Sequence, residues 1–158
     1  MQVKILKKLC GAIGTLGIIG IFAINAYPML MGGKLYQIET GSMEPTIKTG
    51  SYVLIRPVDE LKTGQVVMFD EVGSAVPIVH RVVAVNAGGK TLTTRGDANG
   101  ADDASIDRSQ VRGVVADVFS QYGAYHRPYQ IGAGIFSLCL VGLSLIKSSK
   151  KGRHKKDA

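Results

Sequence analysis

Two long apolar stretches without a charged residue stand near the two ends of the chain, at residues 9–31 and 131–146. A helix that spans a bilayer needs about 20 consecutive apolar residues. The first stretch therefore predicts a transmembrane anchor. The second is short, but Tyr129 and Gln130 extend it, and the tyrosines of residues 121–130 are typical of a segment at the membrane surface. We expect a second transmembrane helix there.

The residues between these stretches, 32–120, show the shorter period of β-strands. Runs rich in β-branched and aromatic residues alternate with turns that contain glycine or proline, a pattern typical of an all-β barrel or sandwich. The predicted strands are residues 35–38, 51–56, 65–69, 77–85, 91–95 and 111–119. The fold class predicted is mainly β, with one β-domain flanked by two transmembrane helices.

The positive charge of the chain is concentrated at its ends. Of the net +7, residues 1–8 carry +3 and residues 147–158 carry +5, which leaves −1 for the middle. A nucleic-acid-binding domain places its basic excess on its folded part, so no nucleic-acid partner is expected. Lysine and arginine favour the cytoplasmic side of a membrane. We therefore expect a multi-pass protein with both basic ends in the cytoplasm and residues 32–120 outside.

A cleaved signal peptide is the alternative interpretation of the first apolar stretch. Its apolar core is longer than that of most signal peptides, and no A-x-A cleavage site follows it, which favours an uncleaved anchor. Glycines recur every three residues in it, at positions 11, 14, 17 and 20. They indicate either a close helix contact or the general abundance of glycine in membrane helices.

The two cysteines, Cys10 and Cys139, both lie within the apolar stretches. The β-domain therefore contains no disulfide, no cysteine nucleophile and no cysteine-based zinc site. We expect no metal and no cofactor.

Three segments of the β-domain carry candidate chemistry. Ser42 lies in a turn, residues 41–46, where Gly41 and Pro45 restrict the backbone; it is a candidate nucleophile or a simple turn hydroxyl. His80 lies on a predicted strand and is either a general base or a hydrogen-bonded core residue. Residues 95–103 form an acidic loop, for which the alternatives are calcium binding, a solvent loop, or an aspartate that orients the histidine.

Together these segments resemble the three signature boxes of type I signal peptidases, in that family's order. The boxes are residues 42–46 (SMEPT), His80-Arg81, and residues 96–99 (GDAN) followed by Asp102-Asp103. The resemblance covers residues 34–118. It is to the endoplasmic-reticulum-type branch, which includes SipW-like enzymes, because the commoner bacterial branch has a lysine where His80 stands. Lys90, in a predicted hairpin turn, is too solvated to serve as that lysine.

The resemblance implies a role for each matching residue. Ser42 is the nucleophile, His80 the general base and Asp103 the essential acid, with Asp102 as the alternative acid. Asp97 has a supporting role. The backbone N–H of Ser42 and, less directly, Thr40 would line the oxyanion hole. Met43 and Ile47 are expected to form an apolar rim beside the turn.

The function implied is that of a membrane-bound serine endopeptidase that removes signal peptides from exported preproteins through an acyl-enzyme. Its partners would be those preproteins and the lipid bilayer, with accessory subunits left open. Its location would be the cell membrane, or the endoplasmic reticulum membrane in a eukaryote. Two alternatives are weighed against this function: a non-catalytic, membrane-anchored β-domain with a scaffold or binding role, and a self-cleaving protease of the phage-repressor type. A scaffold gives no reason for the three boxes, and the repressor type uses a lysine base.

Overall fold

A seven-stranded sheet and two long helices make up the part of the protein that the structure describes. The computed structural model describes residues 2–146, so the basic tail predicted for residues 147–158 lies outside the described residues. The helices are α1 (Gln2–Leu30) and α2 (Arg127–Leu145). The strands are β1 (Lys34–Gln37), β2 (Tyr52–Arg56), β3 (Val66–Phe69), β4 (Ile78–Val85), β5 (Thr91–Arg95), β6 (Ile106–Asp107) and β7 (Val111–Phe119).

The sheet is antiparallel throughout, with the strand order β1-β2-β7-β3-β4-β5-β6, and it curls into a half-barrel. This confirms the prediction of a mainly β fold with two apolar helices. Strand β6 was not predicted, because a strand of two residues is too short to show an alternating pattern.

Side chains at alternate positions along the central strands belong to two separate apolar clusters. Met68 of β3 belongs to one cluster, with Met43, Ile47 and Val79 among its other members. Its neighbours Val67 and Phe69 belong to the second cluster. Successive side chains of a strand point to opposite faces of the sheet, so both faces of β3 are covered. The first cluster lies next to the candidate serine turn and fixes its backbone.

The described residues divide into two compact units. One is built on the sheet and runs from Ile24 to Arg127. The other pairs residues 2–23 with residues 128–146. Within the sheet unit, the last turns of α1 are held by an edge-on contact between the rings of Tyr27 and Phe119 and by the Tyr125 hydroxyl, which donates to the carbonyl of Ile24. Burial raises the pKa of that tyrosine.

Both helices are long and apolar enough to cross a membrane, judged by length and composition. At about 1.5 Å per residue they measure about 43 Å and about 28 Å. Their large apolar side chains are exposed, as at Leu16, Phe22 and Phe136. Such surfaces suit contact with lipid and distinguish these helices from the core helices of a soluble protein.

Glycines of α1 allow α2 to approach closely. A Cβ atom added at Gly14 would lie 2.6 Å from the carbonyl oxygen of Ser137, and one added at Gly17 would collide with that residue's hydroxyl. Gly11 faces Ser144, so the two helices run antiparallel. Gly20 has no neighbour within 4 Å. Three of the four regularly spaced glycines therefore serve a helix contact, the first of the two interpretations that the sequence allowed.

A bulky residue at position 14 is expected to separate the two helices. Gly14→Leu forces side-chain atoms into the backbone of α2, at a cost of about 1–3 kcal/mol. The measurement is the yield of a disulfide between Gly11→Cys and Ser144→Cys, in a chain whose own two cysteines are replaced by serine. The yield should fall several-fold with Gly14→Leu and stay high with Gly20→Leu. Equal yields in both variants would contradict the close contact.

Candidate active site

Two apolar side chains of the serine turn are buried in the core and hold the turn in place. Met43 and Ile47 are each 1% exposed, and the N–H of Ile47 donates to the carbonyl of Met43 at 2.8 Å. On the outer side, the carboxylate of Glu44 accepts hydrogen bonds from the N–H and the hydroxyl of Thr49, which lower the pKa of Glu44. The expectation of an apolar rim at Met43 and Ile47 is wrong, because their spacing of one helical turn directs both side chains into the core.

Ser42 itself remains partly accessible. Its Oγ atom lies 3.5 Å from the hydroxyl oxygen of Thr40. In the described part of the chain no acceptor is within hydrogen-bond distance of the Ser42 N–H. The turn thus presents a hydroxyl and a free backbone donor side by side, next to a second hydroxyl.

Strand β4 carries His80 into the interior. The residue is 7% exposed, and the ring of Phe69 packs edge-on against it, with 6.3 Å between ring centroids. Its Nδ1 atom lies 2.5 Å from Oδ2 of Asp103. A carboxylate at this nitrogen fixes the tautomer of a neutral imidazole, so that Nε2 is left as the basic atom.

Asp103 is held by Thr94, a residue that the sequence reasoning missed. The N–H of Asp103 donates to the carbonyl of Thr94 at 2.8 Å. In return the Thr94 hydroxyl donates to Oδ2 of Asp103, also at 2.8 Å. Thr94 is completely buried. The available signal was a hydroxyl residue two positions from Leu92 on a strand, where the alternation predicts an inward-facing side chain.

Gly96 lies where the serine turn and the histidine meet. A Cβ atom at this position would lie 2.6 Å from the Ser42 carbonyl oxygen and 2.9 Å from Nε2 of His80. Both atoms are therefore within 3 Å of one point, and any side chain would collide with them. The N–H of Ala98 also donates to the Ser42 carbonyl at 2.9 Å. The structure thus brings Ser42, His80 and Asp103 together from three distant parts of the sequence.

Asp97 and Asp102 have different partners. Arg81 donates to both carboxylate oxygens of Asp97, at 2.8 and 2.7 Å. The hydrogen bonds from Arg81 hold the pKa of Asp97 below its ordinary value, and a hydrogen bond from the Thr46 side chain adds to this effect. Burial of the carboxylate opposes the shift. Asp102 forms an ion pair of 3.2 Å with Arg95, and both side chains are about half exposed. The geometry therefore joins Asp103, and not Asp102, to the histidine.

A cleft of about 530 Å³ opens beside Ser42 and Thr40. One wall is the segment from β1 to the serine turn, residues 35–43, and the other is formed by residues 68–79. Among residues 2–146, no group of three or more His, Cys, Asp or Glu is placed to hold a metal ion. The chemistry that the side chains offer is a hydroxyl, a buried imidazole held by a carboxylate, and backbone N–H donors, which are the components of nucleophilic acyl transfer.

Comparison with known proteins identifies the family. Residues 7–112 match the model of a protein family that is described as "signal peptidase, peptidase S26". The chain belongs to this family. The match includes the serine turn, His80 and the acidic loop.

Relatives within the family come from fungi and bacteria. The chain is 42% identical over 72 residues to the signal peptidase complex catalytic subunit SEC11 of Leptosphaeria maculans. This alignment covers 42% of this chain and 41% of the SEC11 protein. The chain is 32% identical over 120 residues to signal peptidase I W of Bacillus subtilis, covering 72% of this chain and 59% of that protein. The chain thus matches about two-fifths to three-fifths of the length of these relatives.

Removing the charge of Asp97 is expected to destabilise the fold in a pH-dependent way. Asp97→Asn removes two charge-assisted hydrogen bonds, which should lower the free energy of unfolding by about 1–3 kcal/mol at neutral pH. The pKa of Asp97 is below the ordinary 3.8 in the folded state. Its contribution is therefore complete above pH 3.8 and is lost as the pH falls through the lower folded-state value.

The measurement is denaturant unfolding in detergent at a series of pH values. The difference between wild type and Asp97→Asn should be constant near neutrality and shrink below about pH 4. Asp102→Asn is the matched control, because its half-exposed pair should contribute less than about 1 kcal/mol. A difference for Asp97→Asn that does not change with pH would contradict the role of its charge.

Proposed function

We propose that this chain is a membrane-bound serine endopeptidase that removes N-terminal signal peptides from exported preproteins. The observation that carries the proposal is the contact between His80 Nδ1 and Asp103 Oδ2 at 2.5 Å. It occurs in a chain of the signal peptidase family in which the Ser42 carbonyl oxygen and His80 Nε2 both lie within 3 Å of the Cβ position of Gly96. A scaffold role gives no reason for a buried histidine held in one tautomer beside an accessible serine.

In the proposed mechanism His80 Nε2 takes the proton of the Ser42 hydroxyl as Oγ attacks the scissile carbonyl. Asp103 stabilises the imidazolium that forms and keeps the ring in position. The tetrahedral oxyanion collapses to an acyl-enzyme, and His80 delivers the proton to the leaving amine. Water, activated by the same nitrogen, then releases the signal peptide.

The oxyanion would be stabilised by the free Ser42 N–H and by the Thr40 hydroxyl. Backbone N–H groups without an internal acceptor are suited to a charge that develops only in the transition state. Thr40 lies on the same side of the turn, 3.5 Å from the Ser42 hydroxyl. Asp97 supports the site through its pair with Arg81, which links the acidic loop to β4.

The substrate would bind in the cleft as an extended strand. Strand β1 is at one edge of the sheet. In β4 the pairing with β5 begins at Arg81, so Ile78 and Val79 pair with β3 alone. The cleft is therefore bordered by two strand segments with unpaired backbone groups, which suits β-strand addition by a peptide. By family resemblance, small residues would be preferred at the first and third positions before the cut.

The apolar helices would anchor the enzyme in the cell membrane or, in a eukaryote, in the endoplasmic reticulum membrane. Because the helices run antiparallel, the first residues of α1 and the last of α2 would lie on one side of the bilayer. The excess of basic residues in the sequence supports the proposal that this side is the cytoplasm. Tethered precursors would then reach the outer unit at high effective concentration.

Substitution of the three joined residues should abolish cleavage. We expect Ser42→Ala and His80→Ala to lower the cleavage rate by about 10⁴-fold or more, and Asp103→Asn by about 10³-fold or more, because the groups act as a unit. The measurement is cleavage of a preprotein with an A-x-A site in detergent or liposomes. Wild type should cut after the last small residue, and Asp102→Asn, the matched control, should retain activity.

Two results would reject parts of this proposal. Cleavage by Ser42→Ala at the wild-type rate would show that Ser42 is not the nucleophile. Loss of activity in Asp102→Asn together with an active Asp103→Asn would exchange the roles of the two acids.

Thr94 is expected to act as a positioning residue for Asp103. Thr94→Val keeps the shape of the side chain but removes one hydrogen bond to a charged group, a loss of about 10- to 100-fold in kcat/KM. The effect should fall on kcat with little change in KM, because the cleft is intact. Thr94→Ser should restore most of the rate, and a Thr94→Ser variant as impaired as Thr94→Val would indicate a packing role instead.

A further inference from the structure

The cleft beside Ser42 carries charge of one sign. Among the described residues that line it, the charged ones are Glu39 and Glu71, and no lysine or arginine is present. Glu39 comes from the segment between β1 and the serine turn, and Glu71 comes from the loop between β3 and β4. The two carboxylates thus belong to the two different chain segments that border the cleft.

Neither carboxylate has an internal partner in the part of the chain that the structure describes. Within residues 2–146 neither side chain has a hydrogen bond or an ion pair, and both are exposed. Other acidic residues of the sheet unit are paired: Asp97 with Arg81, Asp102 with Arg95, Asp70 with Arg112, and Glu60 with Lys62. Two carboxylates without a partner, in a cleft otherwise lined by polar and apolar neutral side chains, are available to a cation on a bound molecule.

We propose that Glu39 and Glu71 make the cleft selective for charge, so that it prefers substrates with a lysine or arginine near the scissile bond and disfavours acidic ones there. This inference rests on the proposed function and adds to it a feature of the preferred sequence. Neighbouring backbone groups along the cleft would hold the peptide irrespective of sequence, as in strand addition, while the carboxylates contribute discrimination.

The expected size of the effect follows from the exposure of both carboxylates. Ion pairs in contact with water are weak, and the two carboxylates together should change kcat/KM by about 3- to 10-fold. Added salt should reduce the preference, since charges that face solvent are screened over about 10 Å at 0.1 M ionic strength. The preference for small residues before the cut is separate and should be insensitive to salt.

The experiment is a charge scan of the substrate. A set of A-x-A preproteins carries glutamine, lysine or glutamate at each position near the scissile bond, and kcat/KM is measured for the full chain in detergent. At one or more positions, the kcat/KM of wild type should be higher for the lysine substrate than for the glutamine substrate, and higher for the glutamine substrate than for the glutamate substrate. In Glu39→Gln/Glu71→Gln the ratio of lysine to glutamate substrates should approach one. Using a ratio removes any general loss of activity from the comparison.

Glu60→Gln is the matched control, since it removes an exposed carboxylate that does not line the cleft; its ratio should equal that of wild type. Equal rates for lysine and glutamate substrates at every position, or a ratio that survives in the double variant, would overturn the inference while leaving the peptidase proposal intact. Failure of wild type to cleave the glutamine substrate would overturn the proposed function. In that case, binding of the labelled peptides to Ser42→Ala decides the charge preference, and equal affinity for the lysine and glutamate peptides would overturn it as well.

Discussion

The contact between Nδ1 of His80 and Oδ2 of Asp103, at 2.5 Å, determines which nitrogen of the ring is left for chemistry. The histidine side chain is only 8% exposed, so its orientation depends on this partner and on the packing of Phe69. A buried imidazole without such a partner would be costly and free to adopt either tautomer. The other features of the site keep these two residues and the serine turn in one arrangement.

Two groups of interactions maintain that arrangement. On one side, Thr94 binds Asp103 through both its backbone and its hydroxyl. On the other, the pair of Arg81 with Asp97 joins β4 to the loop that follows β5. Gly96 lies between them and lets the Ser42 carbonyl and the histidine ring approach the same point. Because the pair of Arg81 with Asp97 and the approach of the Ser42 carbonyl to His80 each join different strands or loops, the site depends on the curled sheet, and a loss of strand register would disrupt the arrangement.

In the proposed function, the cleft would contribute the specificity of this site. Its walls come from an edge strand and from the beginning of β4, where backbone groups lack a second neighbouring strand within residues 2–146. A peptide held mainly by main-chain hydrogen bonds is bound with little regard to its side chains. Discrimination would then depend on the few side chains that line the walls, and among the described ones the charged side chains are those of Glu39 and Glu71.

The sequence by itself determined the apolar helices, six of the seven strands, the family, and Ser42 and His80 as candidates, because strand alternation, apolar length and short motifs are local properties. It left Asp102 and Asp103 as alternatives, although they are adjacent, since only the loop conformation decides which carboxylate turns toward His80. It missed Thr94 and placed Met43 and Ile47 at an apolar rim. The partner of a buried hydroxyl and the face on which a turn packs depend on which strands become neighbours, and that is decided by the tertiary structure alone.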